Sequence, residues 1–383
     1  MHKLKLQYYV AVNEVMTRLT VLQRWTSLDL SSNKYNELSK QALNSMVALI
    51  LIAFSEEAGK SVKRERIPKI ALFRAFQKVY VYFDIQEHII NELCEIGNIS
   101  KDAFYETTKQ IIKENTDEEF ANFISDGIGT YEMKIYRAAT KIATLAELEA
   151  HSVQIDREEY STIFEQLLKS FDEFKDLPGF EEVSNTKGEI FKALKNISKL
   201  RNQVRWAVQV RVVSCSVLGH EFQTAILAYL MALEKYSGDE TIATKMFFTG
   251  LFHDTAETWT GDIPSPIKDM MPGLRKATEE LERRYLEKEL YSKLPDFVTK
   301  RIKDVGLEEE CNIQYKKLMK GADYLSADSE CGLHYLSGVK EKYFKNTPLQ
   351  NDLQKIETGE VDMPKVGKEF FDTIYAFAKS LNL

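Results

Sequence analysis

The chain has 383 residues, with 51 Lys+Arg against 58 Asp+Glu and a net charge of −7. That length predicts two domains, and 44% hydrophobic with 28% charged residues exclude wholesale disorder. An acidic chain with no long basic stripe excludes nonspecific duplex binding, which draws its affinity from phosphate neutralisation. A small anion held by one or two local cations remains compatible with it.

Eight prolines and 17 glycines are few for this length and favour long helices. In chain order, apolar residues at three- and four-residue spacing predict helices over Leu19–Asp29, Gln41–Ala58, Lys69–Leu93, Tyr131–His151 and Tyr160–Phe174. Pro178 and Gly179 then break the pattern. Helical spacing resumes over Gly188–Arg201, Trp206–Leu218, Glu221–Lys235, Thr241–Thr258, Gly273–Lys293, Gln314–Leu336 and Lys365–Leu381. The expected class is all-α. The start of the chain reaches Asn13 and Glu14 before a cleavable apolar core forms, so no secretory leader is expected. The uncharged run Gln41–Ser55 falls short of the roughly 20 residues a membrane span needs and reads as a buried helix. Cys94, Cys215, Cys311 and Cys331 form no C-x-x-C pair and predict reduced thiols, hence a cytoplasmic protein.

An Arg-Trp pair and three further blocks recur in order at nearly one offset. Arg24-Trp25 recurs as Arg205-Trp206; Ser39-Lys40 and its apolar helix set against Gly219-His220 and its own; Leu72–Ile85 against Gly250–Ile263; and Lys141–Leu145 against Gly321–Leu325. The order and offset predict a tandem duplication of about 180 residues, with domains 1–178 and 179–383.

The strongest chemical signal is Phe252-His253-Asp254-Thr255-Ala256-Glu257, followed by Gly261-Asp262-Ile263-Pro264. On a helix, Glu257 would share a face with His253 and Asp254, and Gly261 would stop that helix. His220 lies upstream at the start of an apolar helix, Asp323 lies downstream in a helix pattern, and Arg205 precedes His220 by 15 residues. Two imidazoles and two carboxylates suit divalent Mn, Co, Ni, Fe or Zn better than Ca or Mg.

These residues resemble the HD-domain metal-dependent phosphohydrolases, whose ligand pattern H…HD…D is matched by His220, His253, Asp254 and Asp323. The finer resemblance is to the 5′-deoxyribonucleotidase branch, whose Arg-Trp, His and HD-x-x-E-x-x-x-GD-x-P-x-P are met by Arg205-Trp206, His220 and His253 to Pro266. Glu221 stands where bacterial members have Ser, and those members are usually single-domain and about half as long. The resemblance implies two tandem HD-like helical domains, a transition-metal cofactor and a small nucleotide substrate, with neither nucleic acid nor membrane as partner. It implies metal-assisted hydrolysis of (deoxy)nucleoside 5′-monophosphates. Arg205 would hold the phosphate and Glu257 act as general acid/base, with Asp262 also catalytic. Trp206, Asp262 and Lys268 would contact substrate. The N-terminal copy carries Lys40, Ala75, Phe76 and Ala143 in place of the four ligands and so would have lost its metal. It would stand where a second subunit sits in relatives that pair, which makes the chain a monomer of pseudo-dimeric halves or a homodimer. The same superfamily also admits a triphosphate, an alarmone or a cyclic dinucleotide as substrate, or a non-catalytic metal and nucleotide sensor.

Weaker signals point to no chemistry. Gly59-Lys60-Ser61 resembles the end of a phosphate loop, but Phe54 occupies the place of its first Gly. Lys60–Arg66 and Arg275–Lys288 read as solvated faces, and His2, His88, His151 and His334 lack partners at metal spacing.

Overall fold

A computed structural model of the chain describes residues 3–28, 35–83, 85, 87–206, 212–268, 270–306, 313–337 and 348–380. Among these, regular structure is helical, with two isolated β-bridges and no strand, as the sequence predicts. The N-terminal half carries α1 (Leu6–Val21), α2 (Glu37–Glu57), α3 (Arg66–Gln77), α4 (Glu87–Gly97), α5 (Lys101–Asn115), α6 (Glu118–Ser125), α7 (Tyr131–His151) and α8 (Arg157–Lys169). After α9 (Phe180–Ser184) and α10 (Glu189–Ile197) come α11 (Val217–Lys235), α12 (Glu240–Phe252), α13 (Glu257–Thr260), α14 (Ser265–Lys268) and α15 (Leu274–Tyr285). The chain continues through α16 (Asp296–Gly306), α17 (Ile313–Leu336), α18 (Pro348–Glu357) and α19 (Lys365–Ser380).

Two helices without a polar face organise the rest. In α2, 18 of 21 residues are buried, and in α11, 17 of 19. A helix apolar all round must be covered on every side. They pack against each other, with Ser39 Oγ 2.8 Å from Ser216 Oγ at the start of both. The long helix α7 covers α2, and α17 covers α11. One continuous hydrophobic core runs through both halves. By length and composition α2 is apolar enough to cross a membrane, but 94% of that window is buried inside the protein, so it is the core helix its short uncharged run predicts. Its end is an ordinary stop: Gly59 takes φ +77°, which an L side chain resists, and no phosphate loop follows.

Three predicted helices differ. The first helix ends at Val21, because Leu22–Trp25 leaves it to bridge Asn36. The run Lys69–Leu93 breaks where the backbone widens into a π turn over Lys78–Tyr82 and Phe83 turns left-handed at φ +45°. Of the described residues of Trp206–Leu218, only Val217 and Leu218 are helical: a Val204–Ser216 bridge comes first, and α11 starts at Val217. Residues 207–211 of that stretch lie outside the described residues, as does Cys311; the other three cysteines are buried and in no disulfide among the described residues.

Candidate active site

The site forms where α11, α12 and α17 meet. Ser216 caps α11 by accepting from Gly219 N–H, which fixes His220 in the first turn, fully buried. Gly250 brings α12 to backbone contact with α11: a Cβ there would sit 2.8 Å from Ala225 Cα. The His220 and His253 rings consequently lie 5.3 Å apart.

The sequence placed His253, Asp254 and Glu257 on one helical face; the chain instead leaves α12 after Phe252 and turns through residues 253–256 before α13. Glu257 N–H donates to Asp254 O at 2.9 Å, so the turn is tighter than an α-helix. Its anchor is Glu221, wholly buried, whose Oε1 accepts from Thr255 Oγ1 at 3.1 Å. The residue that departs from the bacterial pattern thus ties the His-Asp turn to α11.

From α17, Asp323 Oδ1 comes 3.0 Å from His220 Nε2, while Oδ2 takes Lys320 Nζ at 2.7 Å. Asp254 Oδ2 lies 3.1 Å from His253 Nε2 and 3.9 Å from His220 Nε2. Ligand atoms of His220, His253 and Asp323 fall within 4.8 Å of one another. His253 Nδ1 is 2.6 Å from Gly250 O, which makes Nδ1 a donor, and buried Nε2 is turned towards Asp254 Oδ2. An imidazole nitrogen turned towards two carboxylates fits a divalent N/O-liganded ion, which would displace its proton. Burial lowers the His253 pKa, but Asp254, Asp323 and Glu221 outweigh it and push it up to about 9: the pocket is short of positive charge.

Arg205 follows the bridge at Val204, with its N–H on Cys215 O at 3.0 Å. Burial opposes its charge, yet Glu330, Asp323 and Asp254 together raise its pKa. Its Nη1 is 3.8 Å from Asp254 Oδ2. Trp206 beside it is partly buried at φ +57°. Glu257 is buried, and burial, then Asp254 and Asp262, push its carboxyl up to about 10, so it holds a proton at neutral pH. Gly261 (φ +74°) ends α13 with its N–H on Glu257 O, as the sequence predicts, and delivers Asp262 into the loop beside the site, where burial raises its pKa too. Lys268 lowers the pKa of both carboxyls, but its Nζ is paired with Glu282 at 3.3 Å. The nine residues singled out in the sequence therefore gather in one region. Sequence reasoning missed Glu221's anchoring role, Lys320 and Glu330; only Lys320 had a local signal, one helical turn before Asp323.

The N-terminal half carries a related arrangement without these ligands. Gln23 bridges Asn36 as Val204 bridges Ser216, and Trp25 takes φ +60° as Trp206 takes φ +57°. Arg24 Nε lies 3.1 Å from Glu147 on the long helix α7, Trp25 Nε1 donates to the same oxygen at 3.0 Å, and Arg24 also pairs with Glu37. Lys40, the fourth residue of α2 as His220 is of α11, is 2% exposed, donates to Thr144 Oγ1 at 2.7 Å and lies 3.6 Å from Glu147.

The family model for YfbR-like 5′-deoxynucleotidases matches residues 192–374. Similar proteins include the 5′-deoxynucleotidase YfbR of Escherichia coli, 28% identical over 173 residues that cover 44% of this chain and 84% of that protein. A 5′-deoxynucleotidase of Vibrio vulnificus is 25% identical over 169 residues (44% and 87%), and one of Enterobacter sp. 26% over 174 (44% and 84%). Through its C-terminal part, residues 192–374, the chain is an HD-domain phosphohydrolase related to the YfbR-like 5′-deoxynucleotidase family.

Proposed function

We propose that the chain is a cytoplasmic, divalent-metal-dependent 5′-nucleotidase that removes phosphate from deoxynucleoside monophosphates. The observation that carries this reading is the approach of ligand atoms of His220, His253 and Asp323 to within 4.8 Å of one another, with Asp254 Oδ2 3.1 Å from His253 Nε2. Those four residues would hold the ion, which when bound acidifies water and polarises a phosphoryl oxygen. Arg205 presents its Nη edge to the phosphoryl oxygens, where its planar fork matches two of them. Glu257, protonated at neutral pH beside Asp254, is placed to give its proton to the departing 5′-oxygen. Trp206 walls the sugar side and crowds a 2′-hydroxyl, and Asp262 accepts from a sugar hydroxyl. Lys268, shared with Glu282, adds charge at the mouth.

We propose further that residues 1–178 descend from the same unit and hold no metal. The repeated bridges and left-handed tryptophans support this. Setting Glu147 against Glu330, the carboxylates that face the two arginines, places Thr140 opposite Asp323, three residues from the Ala143 that offset alone selects. Neither residue is a carboxylate. Arg24 is already engaged by Glu37 and Glu147, so no edge of it is left for phosphate. The half would then serve as a built-in partner in a monomer.

A Co²⁺- or Mn²⁺-supplemented phosphate-release screen over deoxy- and ribonucleoside mono- and triphosphates tests the activity, with Asp254→Ala as control. Release from deoxynucleoside monophosphates by the wild type alone is expected. Turnover that persists in the variant, or that is confined to triphosphates, would overturn the reading.

A further inference from the structure

Glu330 is 6% exposed and belongs to none of the motifs above. It lies seven residues after Asp323 on α17, almost two full turns, so the two carboxylates project from one helical face about 10 Å apart along the axis. Its Oε1 is 3.3 Å from Arg205 Nε and 3.4 Å from His220 Nδ1. Between them, one turn after Asp323, Ser326 Oγ lies 3.0 Å from the same Nδ1. One rigid helix therefore reaches the phosphate-facing arginine, the back of a metal-facing imidazole and the metal-facing carboxylate.

We propose that Glu330 is a positioning residue that couples the phosphate grip to the metal centre. The proposal rests on the reading of the site given above. Arg205 sits on a loop, and its long side chain has three carboxylates competing for it: Glu330, Asp254 and Asp323. Asp254 is already 3.8 Å from Nη1. Without Glu330, the guanidinium would fall onto the metal-facing carboxylates and spend its donors there. Held from behind through Nε, it keeps both Nη groups forward, and a planar fork needs that edge to bind two phosphoryl oxygens. The same carboxylate behind His220 strengthens the imidazole as a ligand and fixes its ring, as outer carboxylates do at metal-bound histidines. The N-terminal half uses the same device, since Glu147 on α7 grips Arg24 and Trp25 from the long helix. There the clamp holds two faces of the Arg-Trp turn and leaves nothing free. In the C-terminal half it holds one.

The test is a double-variant cycle on the full chain with Glu330→Gln and Arg205→Ala, reading orthophosphate affinity and Co²⁺ affinity by calorimetry, with circular dichroism as the folding control. Glu330→Gln is expected to weaken both affinities 10- to 100-fold, in keeping with other outer-sphere changes. The loss of phosphate affinity should vanish when Arg205 is already Ala, whereas the loss of Co²⁺ affinity should remain, because it runs through His220. Glu330→Asp, which keeps the charge, should recover part of both and serves as the readout if the Gln variant does not fold. Unchanged affinities in Glu330→Gln, or an equal phosphate loss in the Arg205→Ala background, would sink the proposal. A wild-type protein that neither binds Co²⁺ nor releases phosphate would instead refute the reading of the site itself.

Discussion

Lys40→Met isolates what a buried lysine does in the N-terminal half. Burial lowers the Lys40 pKa to about 7, against the pull of Glu147 and Glu37, with Arg24 adding to the depression. A lysine held from 10.5 down to about 7 carries a penalty of at most roughly 5 kcal/mol. The unfolded chain binds this proton up to pH 10.5 and the folded chain only up to about 7, so the folded state gains stability as pH rises through that window. Below pH 7 the penalty is present in full. Methionine matches the length of the side chain and removes the charge, while Glu147 keeps Arg24 and Trp25, and Glu37 keeps Arg24 and Lys78. Replacing a buried ion by an apolar side chain of similar volume commonly stabilises by about 1–4 kcal/mol. Lys40→Met is therefore expected to be more stable than wild type by that amount at pH 6–7, with the advantage shrinking steadily towards pH 10. Urea unfolding of both proteins at half-unit pH steps measures it. A variant less stable than wild type at pH 7, or a difference that does not move with pH, would refute the argument and make the Lys40 charge a net contributor.

Glu147→Gln should do the opposite and cost about 3 kcal/mol, because it removes the buried carboxylate shared by Arg24 and Lys40 and leaves Glu37 alone to offset both; the same urea series reads it. Gly250→Ala should destabilise by about 1–3 kcal/mol and weaken Co²⁺ binding, since the new methyl meets the α11 backbone at Ala225 and pushes His253 away from His220. Co²⁺ at one hundred times its Kd should raise stability by about 2.7 kcal/mol in the wild type and leave Asp254→Ala unmoved, a contrast that thermal melts with and without chelator can score. Trp206→Ala should cut the preference for deoxy- over ribonucleoside monophosphates about tenfold, seen in the ratio of kcat/KM values.

The candidate ligands were legible because their signal is local: His253 and Asp254 adjoin, and Gly261-Asp262 closes the motif within a span of ten residues. The fold class was legible for the same reason, through helical spacing. What the sequence could not give is geometry that depends on two segments at once. Helical periodicity carries straight through His253, and nothing in it reveals the tight turn that Glu221 anchors from another helix. Trp206–Leu218 reads as helix because its Val and Leu residues fall at helical intervals, but the bridge to Val204 takes the backbone groups a helix would use. Glu330 is invisible for a third reason. A glutamate in a helix is ordinary, and only the approach of Arg205 from more than 100 residues away makes this one matter. In the N-terminal half, Lys40 was legible as the residue set against His220, but its burial against Glu147 was not.

The enclosure of α11 also has a consequence for how the protein can be cut. This helix bears His220, yet part of its cover comes from α2, and α2 contributes no ligand to the site. Expressing only the segment that matches the nucleotidase family would strip that cover and leave an apolar face in water. Truncation at residue 178 should then yield an aggregating fragment, and the full chain should melt in one calorimetric step. The N-terminal half thereby becomes as sensitive to mutation as the half that matches the nucleotidase family, since lesions in α2 reach His220 and its neighbours through loss of the fold.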